Sequence, residues 1–245
     1  MVLHAFIVLS IVMFGLCATE KLDLSVSTCK RNSSHYNSCL KRAINEAWPL
    51  FVKGLPAEFE FPPLDPFFYN YERVVVDSGE IHAEVIVSNI TVEGLKDLRV
   101  VAVKPHFSND SFRLVFNTYI PKLLVEGVIK AKGAIGGFRM GGEGYFNMSI
   151  EDTRTPWNIF GPVKNDTWII EHFLVSPMVK NFKVYLHNLF EGNQEINELA
   201  VTFVNEYWPL LMRLTMPTAI EMWDRAHSAD LTRLFAKLSF SKLFP

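Results

Sequence analysis

Apolar and polar positions follow different periods in three stretches of this 245-residue chain. Over residues 36–53, Leu40, Ala43, Ile44, Ala47, Trp48 and Phe51 recur at helical spacing, which predicts an amphipathic helix. Pro49 is expected to kink or end it, because proline removes a ladder hydrogen bond and clashes one turn back. Gly54-Leu55-Pro56 then stops it, and residues 55–66 form a proline-rich connector ending in Pro62-Pro63-Leu64-Asp65-Pro66. In the middle of the chain the period becomes two. Ile81, Ala83, Val85 and Val87 alternate with His82, Glu84, Ile86 and Ser88, and Phe112, Leu114, Phe116, Thr118 and Ile120 alternate likewise. Further strands are expected over 99–104, 123–131, 145–150, 167–175 and 182–186. Turn signals fall between them at Asp77-Ser78-Gly79, Ser108-Asn109-Asp110, Gly136-Gly137 and Gly141-Gly142, which suggests an antiparallel meander. From Gln194 the helical period returns. Ile196, Leu199, Ala200, Phe203, Val204, Tyr207 and Leu211 make one wide apolar face, and apolar positions continue to Leu238. Pro209 and Pro217 are expected to bend or break this run.

One segment has an echo. Asn45-Glu46-Ala47-Trp48-Pro49-Leu50 resembles Asn205-Glu206-Tyr207-Trp208-Pro209-Leu210. Nothing around the two segments repeats, so they read as two similar helix ends rather than a duplication.

The amino-terminal stretch stands apart. Residues 5–16 are almost wholly apolar, about as long as a signal-peptide core and short of the ~20 residues a membrane helix needs. Small residues around Gly15-Leu16-Cys17-Ala18 suit cleavage, so 1–18 reads as a signal peptide and 19–245 as one domain of a secreted, extracellular protein. Cys29 and Cys39 are then an even pair in an oxidising compartment, and one disulfide is expected rather than two free thiols. Five Asn-x-Ser/Thr sequons, at Asn32, Asn89, Asn109, Asn147 and Asn165, support the same compartment and glycosylation.

Charge excludes one class of partner. Lys plus Arg is 24 and Asp plus Glu is 26, for a net charge of -2. No basic stripe exists for nucleic acid. Hydrophobic residues at 49%, with 20 Phe, leave much apolar surface to bury and argue against disorder.

Catalytic signatures are missing. There is no GxSxG elbow, HExxH, P-loop or dinucleotide glycine pattern. The cluster Gly133, Gly136, Gly137, Gly141, Gly142 and Gly144 precedes Tyr145-Phe146, a strand rather than a helix start, so hairpin turns or bulges are expected there. The His residues show no metal spacing, and no cofactor is expected. Asp65 and Asp110 sit where turns favour Asp. Aromatic residues instead run through strands and helices alike. A long amphipathic helix against a curved sheet can enclose an apolar cavity for small apolar molecules. The wall residues expected on periodicity are Phe116, Tyr145, Phe146, Phe203, Tyr207 and Trp223.

At this level of detail the chain resembles the takeout and juvenile-hormone-binding protein family of insects. The shared pieces are Cys29 and Cys39 ahead of a helix, Gly54-Leu55-Pro56, the Pro62–Pro66 phrase and Ile120-Pro121-Lys122-Leu123 with Glu126-Gly127. They continue with Gly142-Glu143-Gly144, the Asn205–Trp208 segment and Leu243-Phe244-Pro245. The resemblance implies an α+β fold in which a highly curved antiparallel β-sheet wraps a long C-terminal α-helix, with a short N-terminal helix, enclosing an elongated hydrophobic cavity. It also implies carriage of juvenile hormone, other terpenoids or fatty-acid-like ligands, with links to feeding, circadian output or chemosensation among relatives. Relatives often carry a Tyr soon after the Gly matching Gly127. Here Val128-Ile129 follow, so that strand offers no hydroxyl.

Three functions are therefore weighed. A secreted carrier of a small hydrophobic ligand leads. A secreted interaction protein with a filled core, docking to a receptor or membrane surface, is the alternative. A secreted hydrolase comes last.

Overall fold

A computed structural model describes residues 21–78, 81–135, 138–190 and 192–245. The expected signal peptide lies outside them. The first helix, α1 (Tyr36–Lys53), buries Tyr36, Leu40 and Ala43 one to two turns apart and packs on β3. Pro49 lies inside it without ending it, on the exposed side. The strands are β1 (Phe67–Ser78), β2 (Ile81–Glu93), β3 (Arg99–Phe107), β4 (Ser111–Ile135), β5 (Phe138–Lys164), β6 (Thr167–Trp168), β7 (His172–Val175) and β8 (Asn181–His187).

One long antiparallel hairpin organises the sheet. The 25-residue β4 pairs along nearly its whole length with the 27-residue β5. The two stretches expected at 112–120 and 123–131 are thus one strand. Each of its edges is shared by two shorter partners. β3 pairs with the first half of β4 and β2 with the second half, with β1 outside β2. On the other edge, β8 pairs with the first half of β5 and β7 with the second half. The stretch expected as a single strand over 167–175 is split into β6 and β7. The sheet curls into an antiparallel half-barrel around α2 (Gln194–Ala236), and a one-turn helix α3 (Phe240–Leu243) closes the chain.

Pro209 and Pro217 neither bend α2 into two helices nor stop it. Both prolines are exposed. The carbonyls they leave without a ladder partner, at Asn205 and Arg213, lie one turn back along the helix. Asn193 caps the start, its side chain accepting from the Ile196 N–H.

The molecule has two unlike ends. At the β3–β7 end, Phe112, Trp168, Phe240 and Phe244 form a closed aromatic base, with Phe112 and Trp168 each only 1% exposed. The disulfide expected from the sequence is present, Cys29–Cys39 with Cα atoms 5.9 Å apart, and Cys29 is buried in this base. At the hairpin end, a smaller cluster of Phe146, Val184, Leu186 and Leu189 lies under the first half of α2. The glycines here serve close approach rather than turns. A Cβ on Gly142 would lie 1.6 Å from the Leu189 carbonyl oxygen. Gly136-Gly137 and Gly79 lie outside the described residues.

Removing the disulfide should cost roughly 2–3 kcal/mol, the loop-closure value for a short loop. Thermal melting of the Cys29→Ala/Cys39→Ala variant checks this; an unchanged melting temperature would contradict it.

Candidate functional site

The site is the space between α2 and the inner face of the sheet at the hairpin end. How the helix is held there decides what it can offer. Along its 43 residues only Leu234 is fully buried. The upper half is secured by side-chain amides instead. Asn205 accepts from the Val184 N–H at 2.8 Å and donates to the Val184 carbonyl at 2.8 Å. About two turns earlier on the same side, Asn197 donates to the Leu186 carbonyl at 2.8 Å and accepts from the Leu189 N–H at 3.1 Å. β8 is an edge strand, so these backbone groups have no further strand to pair with, and the amides replace it. Trp208 stacks on Phe182 at 5.6 Å.

The same device recurs at the opposite edge. Asn45 of α1 donates to the Val100 carbonyl at 3.0 Å and accepts from the Val100 N–H at 2.9 Å, on β3. Trp48 donates its indole N–H to the Leu95 carbonyl. The two echoing Asn-Glu-x-Trp-Pro-Leu segments therefore do one job twice: each ties a helix to an edge strand flanking the central hairpin.

With Asn197 and Asn205 facing β8, and Ala200, Val201 and Val204 packed on the Phe146 cluster, the helical period fixes the next flank. It carries Leu199, Phe203, Tyr207, Leu210 and Leu214, each 49–68% exposed. This apolar stripe is turned away from β8 and stays exposed along the helix. The inner sheet face is lined by Val87, Val125, Ile129, Ala131 and Met148, all partly buried. Apolar surface thus lies both on the inner sheet face and along an exposed flank of α2.

The residues expected from periodicity divide accordingly. Phe146 lies beneath α2, and Phe203 and Tyr207 stand on the stripe with ring centroids 5.1 Å apart. Phe116, stacked on Trp157 at 5.5 Å, and Trp223 pack against the closed base. Tyr145 is the neighbour of Phe146 on one strand, so it takes the opposite face, and it is 62% exposed on the outside of the sheet. All five sequon asparagines are exposed.

Two residues that the sequence reading passed over reach the inner face. β1 places Tyr69 and Glu72 there, with the Tyr69 hydroxyl donating to Glu72 Oε2 at 2.9 Å. Burial, then the Glu72 bond, push the Tyr69 phenol above its ordinary pKa. Phe67 of the same strand meets His227 of α2, as does Phe173 of β7. Burial pushes the His227 imidazole below its ordinary value, against the opposing pull of Asp230. Nearby, Asp224 accepts from the Phe173 N–H at 2.6 Å and from Ser228, and lies 2.8 Å from His172 Nδ1. Burial alone would raise this carboxyl, but those bonds together hold it below the usual range. Ser228 bonds the carboxylate and not the imidazole, so the trio anchors α2 to β7 and is not wired as a nucleophile with its base. A separate open recess of about 670 Å3 lies by the β3–β4 turn, around Arg113, Phe160 and Glu171.

Comparison with known proteins points one way. The family model described as haemolymph juvenile hormone binding protein (JHBP) matches residues 7–245. The circadian clock-controlled protein daywake of Drosophila melanogaster is 24% identical over 242 residues, 93% of this chain and 91% of the relative. The Drosophila yakuba daywake protein is 23% identical, over 89% and 87% of the two chains. The crystal structure of Epiphyas postvittana Takeout 1 superposes with a TM-score of 0.70 at 19% identity, covering 89% of this chain and 98% of that one.

Two outcomes test the site's construction. Asn205→Ala and Asn45→Ala should each cost about 1–3 kcal/mol, since each strands a backbone donor and acceptor, and the losses should add because the sites are far apart. Melting of the two single variants and the double variant checks this, with exposed Glu206→Ala as a neutral control. His227 binds protons more readily when unfolded, so its contribution is complete above about pH 6.5 and is lost as pH falls toward the folded pKa. The wild-type advantage in melting temperature over His227→Phe should therefore shrink from about pH 7 to about pH 5; parallel curves would refute the buried neutral imidazole.

Proposed function

The chain belongs to the haemolymph juvenile hormone binding protein family, and from that premise we propose that it is a secreted carrier which holds a small hydrophobic ligand between α2 and the inner face of the sheet. The observation that carries this reading is the stripe Leu199, Phe203, Tyr207, Leu210 and Leu214. Five large apolar residues stay about half exposed in one row along the helix. An isolated exposed apolar residue is ordinary, but a continuous apolar row along a groove marks a binding surface. A terpenoid or acyl chain laid there would gain ~0.8 kcal/mol per buried CH₂, enough after binding costs for micromolar affinity or better with about ten carbons. The closed aromatic base leaves the hairpin end as the place for the chain. Of the expected wall residues, Phe146, Phe203 and Tyr207 are assigned to ligand contact, and Phe116 and Trp223 to the floor beneath it.

Secretion is part of the proposal. The apolar stretch over 5–16 suits a signal peptide, the disulfide suits an oxidising compartment, and Asn32, Asn89, Asn109, Asn147 and Asn165 are all exposed for glycosylation. No described helix is long and apolar enough to cross a membrane.

A second reading has its own observation. The outer sheet face exposes Phe68, Tyr71, Tyr145 and Tyr185, in two registered rows across β1, β2, β4, β5 and β8. That surface would suit a receptor or membrane contact.

The decisive experiment is native expression in insect cells, solvent extraction for mass spectrometry, and uptake of a fluorescent apolar probe by the emptied protein. A stoichiometric apolar compound and saturable uptake are expected. Phe203→Ser/Tyr207→Ser should weaken uptake about tenfold or more while leaving the melting temperature nearly unchanged, since both side chains are half exposed. A clean extract with no uptake would defeat the carrier reading and turn attention to the outer face.

A further inference from the structure

The polar chemistry on the inner face of β1 narrows what such a carrier would hold. The chain of contacts begins at the helix. Phe67 approaches His227 of α2 at 6.4 Å, so Phe67 faces inward. Its ring stacks on Tyr69, centroids 6.4 Å apart and planes 24° from parallel. Tyr69 in turn donates to Glu72. Sheet register gives the same answer from the other side. Glu72 is paired with Val87, and Val87 with Ile129, and both of those pack on the Phe146 cluster beneath α2.

Tyr69 and Glu72 are three residues apart, and strict alternation would put them on opposite faces. A β-bulge resolves this. β2 shifts register between Ser88 and Thr91, where Asn89 has a φ of 51°. The extra residue lies in β2 against β4 while β1 and β2 keep one register, so both strands change faces together relative to β4. Arg73, next in sequence, turns to the outer face and pairs with Glu84 at 2.6 Å. Among the described residues no cation pairs with Glu72. Among the described residues its Oε1 receives the Arg73 N–H, at 3.2 Å, and its Oε2 the Tyr69 hydroxyl.

A half-buried carboxylate beside apolar surface is costly unless its lone pairs are met. Two oxygens can accept about four bonds, and two are supplied. We propose that Tyr69 and Glu72 form the polar end of the groove and select apolar ligands whose head is a hydrogen-bond donor, a hydroxyl or an amine, over fatty acids. The inference rests on the carrier reading. An alcohol O–H or an ammonium N–H completes the carboxylate's shell with a charge-assisted bond. A ligand carboxylate meets a like charge in a site of reduced dielectric and is rejected.

The test uses the full secreted protein, emptied of lipid and loaded with a neutral fluorescent apolar probe. Dodecanol, dodecylamine and dodecanoic acid, which share one chain, compete for it at neutral pH. The alcohol and amine should displace the probe at concentrations about tenfold below the acid. Glu72→Gln should bring the acid to within about threefold of the alcohol, and Tyr69→Phe should leave the order of preference standing. Glu84→Gln removes an equal charge on the outer face and should change nothing. Each variant's probe affinity reports that the groove is intact. Equal displacement by acid and alcohol in the wild type, or an unchanged preference in Glu72→Gln, would overturn the inference while the carrier stands. So would equal effects of Glu84→Gln and Glu72→Gln, which would signal net charge alone. Failure of the probe itself to bind would remove the carrier and this inference together.

Discussion

Both ends of the molecule depend on how backbone groups at the edge strands β3 and β8 are satisfied. A curled sheet that does not close leaves edges, and an edge strand presents donors and acceptors with no further strand to meet them. Here helices stand beside the edges, and asparagine amides reach from them to the exposed backbone. Asn205 and Asn197 serve β8, and Asn45 serves β3. An amide matches a strand's alternation of donor and acceptor because it carries one of each. The upper part of the long helix is thus positioned by a few directional bonds together with the packing of Ala200, Val201 and Val204.

That division has a functional consequence. Because amides share the task of holding α2 with a narrow packed face, an apolar flank is left free, carrying Phe203, Tyr207 and their neighbours. The filled aromatic base supplies what the open end lacks. Trp168, Phe112, Phe240 and Phe244 pack closely enough to fix the lower halves of β4 and β5, and the Asp224 anchor joins the helix to β7 above that base. Rigidity is concentrated at one end and free apolar surface at the other. This is the arrangement expected of a groove that receives a flexible chain without collapsing onto itself.

The order of elements was legible in the sequence because three periods succeed one another cleanly. So was the disulfide, and family resemblance supplied the wrapping of helix by sheet. Other features were hidden for identifiable reasons. β1 reads Phe67-Phe68-Tyr69-Asn70-Tyr71-Glu72, which lacks alternation because the bulge beside it shifts parity midway. Tyr69 and Glu72 were therefore invisible as inward residues. Tyr145 and Phe146 could not both face one groove from adjacent strand positions, and only the register told which one does. The prolines of α2 looked like stops because sequence does not show that both lie on the solvent side. The repeated Asn-Glu-x-Trp-Pro-Leu phrase looked accidental until both copies proved to grip a valine on opposite edges of one sheet.

The amide clamps also define what a change from asparagine to aspartate would do. Slow hydrolysis of an asparagine side chain yields a carboxylate of nearly the same shape that accepts hydrogen bonds but donates none. At Asn205 this would set an anion against the Val184 carbonyl, turning an attraction into a repulsion without moving any other atom. The upper helix would loosen from β8 while the aromatic base stayed intact. A single atom exchanged in a side chain would thus separate the fate of the helix from that of the core.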